Sequence, residues 1–479
     1  MEFKNIIPSF VLFALLWSVS AISAPAQEPN DPTSTKPAAK AIPPFPDVLN
    51  SQEDTAGQDL TKGLQADTTP LTGVQTATLG AQQLEHSYWV PGFQYANTIQ
   101  SSGVSSGSWY SSNYFLGNLS LVQNWSRSTL ALNYTGGGYV STNSAQRGGA
   151  YQQLNLAQSF HLKRWDLEFL DQFAYLPESS FGFGAGTNLG APGVGGSVGV
   201  SLPGISGSLV PNQSILSSVG PRYTNAFAVQ STYEMSARDS LTMSASYGIL
   251  NFTEPGNIDS QMPTASFGYN RALTKENTIG LVYRFAAYHY TGNPQAIGDQ
   301  VVSLAYGRKI TGRLALQLYG GPEITSYRVP VDNTSQRVSG YGSASLSYAL
   351  GPTTGMALSY LHGLSAGSGV LLGSQLDQVN FNAYKTLGRV WTAQFNFGFA
   401  RNKPITNSSS TPAQDFNNWF ISAGFTRPIG RNMNLSIAYN AQIERAGITP
   451  CTTSNCTATS TQNIVNLSFQ WHTRPLVLR

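Results

Sequence analysis

Apolar and polar residues alternate along most of this chain. In "NMNLSIAYNAQIE", Met433, Leu435, Ile437, Tyr439, Ala441 and Ile443 fall on one side, and Asn434, Ser436, Asn440, Gln442 and Glu444 on the other. That period of two predicts a β-strand with one greasy and one wet face. "WTAQFNFGF" sets Trp391, Ala393, Phe395, Phe397 and Phe399 against Thr392, Gln394, Asn396 and Gly398. "LTMSASYGI" and "IVNLSFQW" repeat the scheme, and each segment has about the 9 to 11 residues a tilted strand needs to cross a bilayer.

Connections of two kinds take turns between these segments. Short ones are expected near 124–128, 162–165, 236–240, 274–277, 310–313, 351–355, 386–390 and 428–432. Longer ones, rich in Gly, Ser, Asn and Pro, are expected near 101–108, 137–149, 177–221, 253–260, 292–298, 330–337, 366–374, 402–413 and 446–460. Eight short and nine long connections separate eighteen strands, the first near 87–100 and the last near 461–472. An even count with both ends on the short-turn side predicts an all-β fold, a closed antiparallel transmembrane β-barrel of about 18 strands.

Composition decides what the greasy faces meet. Charged residues make up 11% of the chain, against about 25% in ordinary soluble proteins. A soluble sandwich needs charge on its outer faces, whereas a barrel turns amides and hydroxyls into a wet lumen and its apolar side to lipid. The seven tryptophans beyond the first 26 residues, Trp89, Trp109, Trp125, Trp165, Trp391, Trp419 and Trp471, lie near expected strand ends, where an interfacial girdle forms. Many basic residues, among them Arg127, Lys163, Arg164, Arg238, Lys275, Arg308, Lys309, Arg313, Arg389 and Arg431, stand on or beside the short turns. A net charge of +3 gives no electrostatic case for nucleic acid.

The N-terminus reads as an export signal over 1–26: Lys4, an apolar run from Ile6 to Trp17, then Ala24-Pro25-Ala26 before Gln27. An uncleaved anchor is the alternative. Beyond Trp17 no apolar run approaches the ~20 residues of a membrane helix. Residues 27–84 are Pro-rich and then acidic and poor in aromatics, which predicts a flexible periplasmic tether that could reach a periplasmic partner. Residues 85–479 form the barrel. Cys451 and Cys456 in "CTTSNC" are disulfide candidates; a metal pair is the rival, with no His or further Cys near it.

From about 87 to 479 the chain resembles bacterial porins, and its strand count suggests the eighteen-strand group with maltoporin-like and other substrate-selective channels. Phe469-Gln470-Trp471 looks like the aromatic signal on which outer-membrane barrels end. Eight residues, "HTRPLVLR", follow it here. The resemblance implies the outer membrane of a Gram-negative-type bacterium, and in classical porins a long loop after the fifth strand folds inward. The corresponding 177–221 has no charged side chain from Ser179 to Pro221, which predicts an apolar constriction or plug; an ordinary surface loop is the alternative.

Inward positions offer Asp166, Glu168, Gln172, Arg284, Asn380, Asn382, Gln394, Asn396, Asn434, Asn440 and Gln442 as lumen-lining candidates. A wall so thin in charge would select by hydrogen bonds and size. Gly103-Val104-Ser105-Ser106-Gly107 spells G-x-S-x-G but lies in a loop between strands, and the five histidines show no metal-ligand spacing. A triad drawn from separate strands would escape such a reading. The expectation is an outer-membrane channel for small neutral polar solutes, with no enzymatic chemistry and no cofactor. An envelope-spanning exporter, perhaps of polysaccharide, and a surface adhesin or structural barrel are the rivals.

Overall fold

The computed structural model describes residues 72, 87–101, 108–143, 147–176, 221–253, 255–331, 333–350, 353–367, 369, 371–388, 390–405, 415–446 and 459–477. The expected signal peptide over 1–26, the expected tether except Thr72, residues 177–220 of the long connection and both cysteines lie outside them.

These residues form β1 (Tyr88–Ser101), β2 (Trp109–Asn124), β3 (Ser128–Ser141), β4 (Gly148–His161), β5 (Trp165–Leu176) and β6 (Arg222–Glu234). There follow β7 (Asp239–Phe252), β8 (Ser260–Ala272), β9 (Asn277–Tyr290), β10 (Ala296–Thr311), β11 (Leu314–Val331) and β12 (Thr334–Ala349). The ring is completed by β13 (Thr354–Ser365), β14 (Ser374–Leu387), β15 (Trp391–Pro404), β16 (Phe416–Pro428), β17 (Met433–Ala446) and β18 (Thr459–His472), with a short β19 (Leu476–Val477) behind them.

Each of the first seventeen strands pairs antiparallel with the next, and β18 pairs with β1 from Gly92↔His472 to Gln100↔Ile464. The ring is therefore closed, with no edge left to hydrogen-bond into hydrocarbon. Strand number, order and the eight short turns agree with the alternation in the sequence. The residues beyond Trp471 have a place as well. Pro475 interrupts the ladder because it has no N–H, and β19 resumes it by pairing Tyr88↔Val477 and Trp89↔Leu476. The tail thus covers the start of β1.

Burial follows the period of two around the ring. On β7, Thr242, Ser244, Ser246, Gly248 and Leu250 are buried inward, while Met243, Ala245 and Tyr247 are exposed outward. Phe395, Phe425, Ile437, Leu467 and Phe469 are among the large apolar side chains on the outside. An outward apolar belt of this kind is what a transmembrane β-barrel turns to lipid, ~25 Å tall in such folds.

Aromatic residues finish both ends of the belt. Near the short-turn rim, Trp165 packs on Tyr233 with ring centroids 4.6 Å apart, and the Arg427 guanidinium lies 5.3 Å from the Trp391 ring. Toward the long-loop rim the outer face carries tyrosines whose hydroxyls donate to the next strand. Tyr95 donates to Asn113 (2.8 Å), Tyr247 to Gln261 (2.9 Å), Tyr360 to Asp377 (3.0 Å) and Tyr439 to Asn463 (2.8 Å); Tyr134 with Gln152 repeats the arrangement. Such a pair keeps the ring in hydrocarbon and satisfies its polar tip.

Candidate functional site

Strand register assembles the lumen wall from residues far apart in sequence. Asn382 on β14 pairs with Asn396 on β15, Asn396 with Ser422 on β16, and Ser422 with Asn440 on β17. All four lie on the inward parity of their strands. At a strand spacing of ~4.8 Å they make a polar row about 14 Å long. Because strands in such barrels tilt by about 35–45°, a row across them climbs the wall obliquely. Asn440 and Ser422 are fully buried, and both amide atoms of Asn440 and the Ser422 Oγ have no hydrogen-bond partner among the described residues. On the neighbouring strand, Asn466 is in the same condition. Asn382 and Asn396 are half-buried.

The wall from β8 to β13 is different. Near the long-loop rim, Met262, Ala286, Tyr288, Tyr290, Ile297, Tyr327, Ala366 and Ile405 pack into an apolar cluster. Ala366 belongs to the connection between β13 and β14, so that connection is folded inward against β8 to β11. Ile258 donates its backbone N–H to the Gly369 carbonyl at 2.7 Å, tying it to the connection between β7 and β8. Gly369 and Gly373 make the path possible, with φ of +82° and +81°. A Cβ on Gly369 would lie 2.4 Å from the Phe252 ring, and one on Gly373 2.5 Å from Ile297 Cδ1.

A charged group sits beneath this cluster. Arg284 on β9 pairs with Asp299 on β10 (Nη2 to Oδ2, 3.0 Å), and its guanidinium lies 4.7 Å from the Tyr341 ring. Glu323 on β11 accepts from the Ser339 hydroxyl at 2.8 Å and from the Leu364 backbone N–H at 3.1 Å. Tyr288 donates to the Leu364 carbonyl at 3.3 Å. Asp299 and Glu323 are both 0% exposed. Charges removed from water in this way persist only when paired and hydrogen-bonded. Their bonds fix the end of β13, from which the inward connection departs.

All eleven residues expected from the sequence to face inward have the inward parity of their strands. Asp166 lies at the short-turn end of β5, 2.9 Å from His161 Nδ1. Glu168 is buried, and Gln172 is half-buried. Asn380 accepts from Gln378 Nε2 at 3.3 Å, and Gln442 donates to Asn418 Oδ1 at 3.3 Å. Only Asn382, Asn396 and Asn440 of the eleven share one register row; Gln394, Asn380, Gln442 and Asn434 lie above or below it. Arg284 stands apart with the acids. Asp299, Glu323 and Ser422 are additions from the structure. The alternation through Asp299, Val301, Ser303 and Ala305 carries a sign of the first, masked by apolar residues on both faces of β10. Among the described residues no group of His, Cys, Asp and Glu is arranged to hold a metal.

No family model matches the chain, and no curated protein matches it. Among solved structures it is similar to the outer membrane protein OpdK of Pseudomonas aeruginosa, at 11% identity and a TM-score of 0.42, over 80% of this chain and 99% of the other. OpdQ of the same organism gives 10%, 0.41, 81% and 99%. OccK2 (OpdF) in complex with glucuronate gives 10%, 0.42, 80% and 98%. Each is a likeness to another protein's barrel, and the solute named for one of them belongs to that protein.

Proposed function

We propose that this chain is a channel of the outer membrane through which small neutral polar solutes pass against the half-buried amides of the oblique row, Asn382 and Asn396. What supports the reading is the chemistry of that row. Amides both donate and accept, as do the hydroxyls of a sugar or polyol, so the Asn382 and Asn396 side chains can exchange a water for a solute oxygen. A carboxylate solute accepts only, and this row offers it no positive charge. The guanidinium of the charged group, Arg284, is already engaged by Asp299. Selection here would rest on hydrogen-bond pattern and width, with electrostatics secondary.

Swelling of proteoliposomes tests this directly. Vesicles carrying the full chain should swell faster in a neutral pentose or hexose than in the sodium salt of the matching sugar acid. The double variant Asn382→Val, Asn396→Val should slow the neutral sugar while leaving single-channel conductance in potassium chloride close to that of the parent. Equal rates for sugar and sugar acid would remove the neutral preference, and an absence of conductance steps from the intact barrel would remove the channel.

A further inference from the structure

One residue of the segment ahead of the barrel is described, and it lies against the inner wall. Thr72 is 5% exposed, and its Oγ1 accepts a hydrogen bond from Asn270 Nδ2 at 2.7 Å. The same amide reaches Thr242 Oγ1 at 3.3 Å. Asn270 and Thr242 are buried on the inward parity of β8 and β7, close to the short-turn rim. Between them stands Gly268, the register partner of Thr242. A Cβ on Gly268 would come within 2.4 Å of Thr72 Cβ, 2.6 Å of its Cγ2 and 2.8 Å of its Oγ1. The hollow left by the missing side chain is thus filled by the threonine itself, methyl against backbone and hydroxyl against amide.

Position makes the contact informative. Strand β8 is seven places around the ring from β1, so Thr72 sits well away from the strand its own segment leads into. We propose that Thr242, Gly268 and Asn270 form an internal receptor for the chain's own segment ahead of β1, with Thr72 as the anchoring side chain. Glycine at 268 is then a requirement of the occupant, since a strand position gains nothing from losing its side chain.

Cross-linking tests the contact without any transport measurement, so its outcome is independent of the solute reading. In the full chain carrying Cys451→Ser and Cys456→Ser, the pair Thr72→Cys, Asn270→Cys should form an intramolecular disulfide on mild oxidation and migrate faster in denaturing gels. The pair Thr72→Cys, Gln442→Cys, on a distant part of the inner wall, should not. Equal cross-linking of the two pairs, or none in either, overturns the receptor. Gly268→Val, which fills the hollow, should suppress the cross-link of the first pair; undiminished cross-linking in that variant also overturns the receptor.

Discussion

Arg284 and Asp299 face each other on adjacent strands inside the barrel, 3.0 Å apart, and Glu323, fully buried in the same charged group, is held by a serine hydroxyl and a backbone N–H. The group contains two acids and one guanidinium, so its balance depends on every member. Arg284→Met should cost about 3–5 kcal/mol of stability, the range for breaking a buried pair and stranding its partner. Adding Asp299→Asn should recover part of the loss. Urea unfolding in lipid vesicles, followed by tryptophan fluorescence, reads both; equal losses in the single and double variants would deny the coupling.

The connection between β13 and β14 owes its inward course to glycines in the left-handed region. Gly369→Val places carbon where the Phe252 ring stands, at a φ of +82° that a β-branched residue rarely adopts. The connection should leave its seat, and single-channel conductance should rise. An unchanged conductance would put this connection outside the narrowest cross-section.

Adjacent positions on one strand separate lipid from lumen. Phe395 is exposed on the outer face of β15, and Asn396 points the other way. Phe395→Arg should cost about 2–4 kcal/mol if it lies near the midplane, the depth-dependent penalty for a cation facing lipid. Asn396→Arg, in the wet lumen, should cost much less and shift ion selectivity toward anions. Equal costs would mean that the two faces meet the same solvent.

Tyr439→Phe removes the hydroxyl that donates to Asn463 on the outer face. The unpaired amide oxygen should lower stability by about 1 kcal/mol, the usual size for one lost hydrogen bond. A double-mutant cycle with Asn463→Ala isolates the pairwise contribution; a coupling of zero would reduce the tyrosine to a hydrophobic anchor.

The tail beyond Trp471 makes a separate claim. Truncation after Thr473 leaves the ring closed through β18 but strips Tyr88 and Trp89 of their partners on that side. Amide exchange at these two residues should quicken while that at Gln94 to Gln100 stays slow. Uniform exchange along β1 would show that β19 adds nothing to the seam.

How much of this could be read beforehand follows from what periodicity encodes. Alternation reports which way a side chain points, so strand number, short turns and the inward parity of residues such as Asn382 and Asn440 were accessible from the sequence alone. Register is another matter. That Asn382, Asn396, Ser422 and Asn440 stand in one row depends on how far each hairpin is offset, a quantity fixed by turn geometry and pairing across neighbours. Ser422 gives no such sign, because a short hydroxyl between Ile421 and Ala423 carries little signal. Asp299 and Glu323 are hidden for the opposite reason: inward positions on β10 and β11 include Ile297 and Tyr327, apolar where they pack with Ala366 of the inward connection, and this blurs the alternation. The seat of Thr72 had no local sign at all, since a glycine in a strand is equally a bulge, a bend or a place where another backbone comes near.

The amide row is graded in its access to solvent: Asn440 and Ser422 are closed off, while Asn396 and Asn382 are half-buried. A molecule inside the barrel would therefore meet one end of the row and never the other.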